Sequence, residues 1–371
     1  MFMKWEKELK KNIRTIDQLK KHVKLAKKEE AVLRKVIGIH PMNITRYYLS
    51  LINKKDPADP IKNMIIPSKD ELNLEGVYDT SGEKESTKAV GLQHKYNETA
   101  LILSTNRCAA YCRFCFRKRL VGLSEAEILE RFDDAINYIQ EHKEIDNVLI
   151  SGGDPLILTS RVLRQFLEKL SEIKHLKFIR FGSRVPVTFP DRILMDDSLP
   201  ALFKEYSKKN RRLYVVTHFN HPNEITRKSI ETVNKLINAN VIVNNQTVLL
   251  KGVNDNPETL AELMKNLVSI GVNPYYLFQC RPVKRVVHHF RVPFFEGCRI
   301  VDNARKKLDG HSKRFKFIMS HRSGKIEILG IKGKYLFFKQ HEARNPELVG
   351  KMFKRKIDKT SGWLDHSLRL Y

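Results

Sequence analysis

From about Asn97 onward, apolar runs of strand length alternate with amphipathic stretches of helix length. That alternation predicts repeated βα units around a parallel sheet. Six units are expected, with strands at Ala100–Ser104, Asn147–Ser151, Phe178–Gly182, Leu213–His218, Val241–Leu250 and Pro274–Phe278. The helices between them include Glu125–Glu141, Arg161–Ile173 and Asn223–Ala239. Runs such as Leu213-Tyr-Val-Val are continuously apolar, which implies burial on both faces. Six units are two short of a full eight-stranded barrel. The expected fold class is therefore α/β, a partial (βα)6 barrel over residues 94–310. Residues 1–93 read as a helical extension with a Pro-rich stretch (Pro41, Pro57, Pro60, Pro67), and 311–371 as an α+β segment. In that segment Lys316–Ile331 alternates like strands about a Ser323-Gly324 turn.

Composition adds size and compartment. The 371 residues with 42% apolar content can bury one large core. No run of 18 or more apolar residues occurs, and the opening Met-Phe-Met-Lys-Trp-Glu-Lys lacks an apolar signal core. A cytoplasmic protein without a membrane partner is expected. Five cysteines, three of them within eight residues, make a poor disulfide framework. The formal charge of +26 raises nucleic acid as a partner. Basic residues between 4 and 35 alternate with Glu and apolar positions, however, as the solvated faces of helices do, so nucleic acid is not expected.

Chemistry concentrates directly after the first core strand. There Cys108, Cys112 and Cys115 stand four and then three residues apart, flanked by Arg107, Arg113 and Arg117. Three thiolates can hold a [4Fe–4S] cube and leave one iron open. The arginines would favour thiolate over thiol and offset the negative cluster. A structural zinc site would need a fourth ligand from another Cys or His pair, and none has suitable spacing. Buried free thiols are the plainer reading, less suited to a polar, Arg-rich loop. A second motif, Leu149-Ile-Ser151-Gly152-Gly153-Asp154-Pro, ends the second strand, and its glycines would let backbone approach a ligand closely.

Cys-x3-Cys-x2-Cys at this position resembles the radical S-adenosylmethionine (SAM) superfamily. Further segments narrow the resemblance to its lysine 2,3-aminomutase family: Gln93-His-Lys-Tyr, Gly182-Ser-Arg-Val-Pro-Val, Thr217-His-Phe-Asn-His-Pro-Asn-Glu, Asn245-Gln-Thr-Val-Leu-Leu-Lys-Gly and Phe278-Gln-Cys. With Pro41-Met-Asn-Ile-Thr-Arg-Tyr-Tyr and Asp56-Pro-Ala-Asp-Pro-Ile, the match runs from about residue 38 to 330. The resemblance implies a TIM-like radical SAM barrel, a [4Fe–4S] cluster, S-adenosyl-L-methionine and pyridoxal 5'-phosphate. It implies exchange of an amino group and a hydrogen between C2 and C3 of an amino acid. An electron donor such as flavodoxin or ferredoxin is implied as well, and a homo-oligomer is compatible with it.

Site residues follow from the same resemblance. Ser151, Gly152, Gly153 and Asp154 would lie against S-adenosylmethionine. Lys325, in Ser320-His-Arg-Ser-Gly-Lys-Ile-Glu, would carry pyridoxal phosphate as a Schiff base, the chemistry that requires a lysine amine. Without the resemblance Lys325 would read as an ordinary lysine beside a turn. Lys95, Tyr96 and Gln246 would contact that cofactor, with Lys95 standing where the family has an arginine. Arg117 would pair with the substrate α-carboxylate. His218 and His221 would shape the site without holding a metal.

Two departures concern the substrate. Lysine-acting members hold the distant ammonium with two aspartates, but here the matching positions offer Arg281 and the Ser320-His321-Arg322 stretch. A carboxylate tail would suit Arg281 better, since an arginine repels an ammonium, and glutamate-acting relatives also carry a basic residue there; His321 is a further candidate for substrate binding. The family's C-terminal zinc cysteines are absent, because no cysteine follows Cys298. The alternatives are the same chemistry on glutamate or another acidic substrate, and a radical SAM enzyme modifying RNA, which would not need Lys325. A basic RNA-binding module without catalysis is the reading from another class.

Overall fold

The fold was obtained as a computed structural model that describes residues 3–371; the first two residues of the expected extension lie outside the described residues. One sheet of twelve strands runs through it in sequence order. It opens with β1 (Thr87–Ala89), β2 (Leu92–Tyr96) and β3 (Thr99–Leu103), paired antiparallel. From β3 the pairing turns parallel through β4 (Asn147–Ser151), β5 (Phe178–Gly182), β6 (Arg212–Thr217), β7 (Ile242–Leu249) and β8 (Asn273–Gln279). β9 (Lys316–His321) also joins β8 in parallel. The antiparallel strands β10 (Gly324–Lys332), β11 (Tyr335–Ala343) and β12 (Met352–Lys356) then complete the sheet. β1 and β12 are its two edges, so the barrel stays open.

The six expected strands lie within one residue of their expected places at every end. A seventh parallel strand, β9, comes from the segment expected to follow the barrel, and the sheet crosses residues 94 and 310 without a break. Strand interiors such as Ile102, Val148, Ile150, Ile179, Phe181, Val215, Val243 and Leu277 are buried in one continuous core. Amphipathic helices cover it: Ser160–Glu172 buries Leu163, Phe166, Leu167 and Leu170, and Pro257–Ser269 buries Leu260, Leu263, Met264 and Leu267.

Two helices differ from expectation for tertiary reasons. The helix expected over Glu125–Glu141 occupies only Phe132–Glu141. The amide of Leu129 is drawn to the carbonyl of Leu103 at 2.9 Å, and Gly91 packs so closely that a Cβ there would sit 2.3 Å from the Leu129 Cα. Backbone committed to β3 cannot enter an α-helical ladder. Asn223–Ala239 likewise divides into a 3-10 turn, Pro222–Glu224, and the helix Arg227–Asn238, capped by the Thr226 hydroxyl. Glu224, fully buried, is bound there by Arg184 and Tyr48.

Candidate active site

A cavity of about 330 Å³ opens among the strand ends and reaches into the barrel lumen. It is lined by Cys108, Cys112 and Cys115 from the loop after β3, and by Ser151, Gly152, Gly153 and Asp154 from the turn after β4. Lys95 and Tyr96 of β2, Arg117, Gln246 of β7, Arg281 after β8 and Lys325 of β10 face the same space. Residues nearly 230 positions apart in sequence are thus brought together by strand order. The cavity goes deeper than the strand ends named by sequence reasoning, since Arg180 and Tyr276 line it from within their strands. Of the residues expected to bind metal, cofactor or substrate, His321 is not in the lining, and neither are Arg113 and His221, which were expected to serve the site. The His321 ring bonds Ser323 Oγ at 2.8 Å and the Asp365 carbonyl at 3.2 Å, while the His321 carbonyl accepts from Lys95 Nζ at 2.7 Å.

The three thiols are not drawn together around a single-ion site among the described residues. Thiols spread around a common space suit a cube, whose irons are ligated separately. Burial raises Cys115 to about 11 and pushes Cys108 up as well, so thiolates there require a cation to pair with. Arg113 does not fill that role, contrary to expectation. Its guanidinium turns away to Glu71, at 2.8 Å from Nε, and to the Pro41 carbonyl at 3.0 Å. Arg184, which sequence reasoning quoted only within a motif, approaches instead: its Nη1 donates to Cys112 Sγ at 2.7 Å.

The paired glycines line the cavity, and they also pack directly against the cysteine loop. A Cβ on Gly152 would lie 2.3 Å from the Thr105 carbonyl oxygen, and one on Gly153 2.1 Å from that of Arg107. They let the β4 turn hydrogen-bond to the cysteine loop, with Gly153 N donating to Thr105 O at 2.5 Å and Asp154 N to Arg107 O at 2.7 Å. Gly152 also has φ +117°, which L side chains rarely adopt. Asp154 accepts from Ser183 Oγ and from the Arg184 amide, both at 2.7 Å, which ties the loops after β4 and β5 together.

Around Lys325 the cavity is aromatic and charged. Its Nζ is ion-paired with Glu342 and lies 4.4 Å from the Tyr96 ring centre and 5.6 Å from that of Tyr276. Glu342 comes from β11, and the register that places Lys325 opposite it is set by the β10–β11 hairpin. Burial lowers the Lys325 amine pKa against the pull of Glu342, and lowers Lys95 to about 7 with help from Arg281. Arg281 donates to Ser81 Oγ and Ser320 Oγ, each at 2.9 Å, and stacks 4.2 Å from the Phe116 ring centre. Arg117 meets Glu83 at 3.2 Å and Ser151 Oγ at 3.0 Å. His218 lines the cavity, buried, with its pKa lowered to about 3 by burial and by Arg184, whereas His221 caps the following turn.

Glu342, Arg184, Glu83, Arg180 and Tyr276 thus belong to the site without having been given roles from sequence. Glu342 lay in a segment with no motif of its own, and only strand register brings it to Lys325.

An open parallel barrel with a three-cysteine loop after its first parallel strand defines the class of radical SAM enzymes, which use a [4Fe–4S] cluster and S-adenosylmethionine. The radical SAM superfamily model matches residues 102–264. An Aquifex aeolicus (strain VF5) protein, provisionally named L-lysine 2,3-aminomutase, is 40% identical over 96% of this chain and 95% of its own length. The L-lysine 2,3-aminomutase of Clostridium subterminale is 39% identical over 83% of this chain and 73% of its own. The glutamate 2,3-aminomutase of Clostridioides difficile is 38% identical over 83% and 71%. The chain belongs to the lysine 2,3-aminomutase family of radical SAM enzymes, whose members are isomerases.

Proposed function

We propose that this chain moves the amino group of an α-amino acid from C2 to C3, with Cys108, Cys112 and Cys115 holding the cluster and Lys325 holding pyridoxal phosphate. The observation that carries the reading is that the three thiols and Lys325 line one cavity. The residues fit both groups. The thiols are an iron–sulfur donor set. Beside Lys325, the buried Arg180 Nε has no hydrogen-bond partner and Lys95 adds an amine, so an anionic phosphate has donors waiting. When bound, the cluster and S-adenosylmethionine supply a hydrogen-abstracting carbon radical, and pyridoxal phosphate supplies an aldehyde for nitrogen and a ring that delocalises an unpaired electron.

The chain's own residues bind, orient and exclude water. Glu342 takes the Lys325 ammonium whenever that amine is unbound. Tyr96 and Tyr276 wall off the amine on two sides. Ser151, Gly152, Gly153 and Asp154 contact S-adenosylmethionine, Gln246 contacts pyridoxal phosphate, and Arg117 offers its fork to the substrate α-carboxylate. Closure of this buried space protects radicals from solvent.

An acidic substrate is favoured over lysine by one further observation. The carboxylates lining the cavity are Glu83, Asp154 and Glu342, and each is engaged: Glu83 by Arg117 and Arg119, Asp154 by Ser183 and Arg184, Glu342 by Lys325. None remains for a distant ammonium, whereas Arg281 donates to two hydroxyls and shares the Glu83 carboxylate with Arg117 and Arg119. An anaerobically reconstituted enzyme should form a β-amino acid from glutamate faster than from lysine. Turnover of lysine alone would overturn the acidic reading. Absence of any β-amino acid, together with no borohydride-trapped pyridoxyl group on Lys325, would overturn the aminomutase reading. The electron donor is a flavodoxin or ferredoxin and the compartment the cytoplasm in this reading, and a homo-oligomer is compatible with it.

A further inference from the structure

The β10–β11 hairpin is irregular at the very place where it brings Glu342 to Lys325. Lys325 pairs with Glu342 but Ile326 with Gln340, so His341 is the extra residue of a β-bulge. Neighbouring residues of a regular strand point to opposite faces. Here both reach one hydroxyl, that of Tyr276 on β8: it lies 2.9 Å from His341 Nε2 and 3.2 Å from Glu342 Oε1. Glu342 keeps its other oxygen, Oε2, for Lys325 Nζ. The Tyr276 ring is buried and stacks on Tyr275 with 3.8 Å between ring centres, which fixes where its hydroxyl lies.

That hydroxyl has one proton for two acceptors. His341 is the nearer, and it stands half-buried outside the cavity lining. It is faced by Tyr276, by Glu342, by Lys316 of β9 and by Glu327 and Lys325 of β10, and burial holds it below its usual pKa. A neutral imidazole there takes the phenol proton and leaves Glu342 the stronger base. Without it the phenol proton turns to the carboxylate and weakens it. Lys325 itself is faced by Glu342, Tyr96 and Tyr276, and by the like charges of Arg180, Arg281 and Lys95.

We propose that Glu342 is a catalytic residue, the proton acceptor and donor for Lys325 as that amine bonds to the pyridoxal cofactor, and that His341 is a positioning residue acting on it through Tyr276. The proposal rests on the assignment of pyridoxal phosphate to Lys325. As the ammonium, Nζ carries three protons. Glu342 takes the first, and the freed lone pair forms the C–N bond to the aldehyde carbon. The second passes from nitrogen to the aldehyde oxygen. Glu342 then returns the first to that oxygen, which leaves as water while the C=N bond closes, and the third stays on nitrogen.

The test loads the full chain with pyridoxal phosphate near neutral pH, quenches it with borohydride at set times and counts the pyridoxyl group on Lys325 by mass spectrometry. In parallel, acetic anhydride labels Lys325 in the cofactor-free chain and reports how much of its amine is neutral. Glu342→Gln removes the charge that holds Lys325 protonated, so acetylation should speed up. Were Glu342 a tether alone, cofactor loading would speed up with it; as acid and base, its loss should slow loading about 10²-fold. His341→Leu should slow loading about tenfold, the effect of one added hydrogen bond on the carboxylate. Adding Tyr276→Phe removes that hydrogen bond and should recover most of the loss, which a structural role for His341 would not allow. Loading of Glu342→Gln at or above the wild-type rate would overturn the catalytic role. Wild-type loading in His341→Leu, or a loss that Tyr276→Phe leaves in place, would overturn the positioning role. Absence of any trapped pyridoxyl group on Lys325 of the wild type would instead refute the cofactor assignment itself.

Discussion

Glu71 offers the sharpest test of how the cysteine loop is held. It lies in the 3-10 turn Lys69–Leu72 of the N-terminal extension, 1% exposed, and its carboxylate meets two buried cations of the loop. Arg113 approaches at 2.8 Å through Nε and 2.5 Å through Nη2, and Lys118 at 2.6 Å. Burial alone would raise the Glu71 pKa, but Arg113 and Lys118 outweigh it and hold it at about 2. One buried carboxylate thus faces two cations of the loop, Arg113 standing between Cys112 and Cys115. Glu71→Gln keeps the shape and leaves both cations without their counter-charge. Breaking a buried pair by removing one partner costs ~3–5 kcal/mol, against ~5–15 kcal/mol for a whole domain. Lys118, already lowered to about 8 by burial and by Arg113, can respond by losing its proton, whereas Arg113 cannot. The variant should unfold at lower urea and bind less iron after anaerobic reconstitution. Adding Lys118→Met restores the original charge balance and should recover at least about 2 kcal/mol of the loss, as coupled neighbours do. Wild-type iron content and an unchanged urea midpoint in Glu71→Gln would refute the reasoning.

Two further outcomes follow from the cavity. Gly153→Ala puts a Cβ 2.1 Å from the Arg107 carbonyl oxygen, so it should destabilise by about 1–3 kcal/mol and lower iron loading, read by urea unfolding and iron analysis. Lys95 titrates near pH 7 in the folded chain, far below its unfolded value, because burial disfavours its charge. Its charge is lost as pH rises through that value, so pyridoxal phosphate should bind more weakly at pH 8.5 than at pH 6.5; Lys95→Arg, charged throughout, should flatten the dependence measured by equilibrium dialysis. The same depression makes the folded state gain stability from about pH 7 up to the unfolded amine pKa, because the unfolded chain holds the proton longer there.

Periodicity alone placed the six core strands, because helix-covered parallel strands must be apolar on both faces and short. The Cys108, Cys112 and Cys115 spacing was equally plain, since ligands from one loop must be close in sequence. Motif resemblance extended this to Lys325, Lys95 and Arg281, which line the cavity as expected. What the sequence left open belongs to contacts between distant segments. Glu342 meets Lys325 only through the β10–β11 register, and Arg184 reaches Cys112 from the loop two strands away. Arg113 and His321 looked like site residues by position, yet their side chains are claimed by Glu71 and by Ser323 and Asp365. The shortened helix at Phe132 has the same origin, a backbone hydrogen bond from Leu129 to β3. Local pattern determined which segments are strands and which residues carry chemistry. Tertiary structure decided which partner each buried charge found, because a buried ion must be paired by whatever the fold brings within reach.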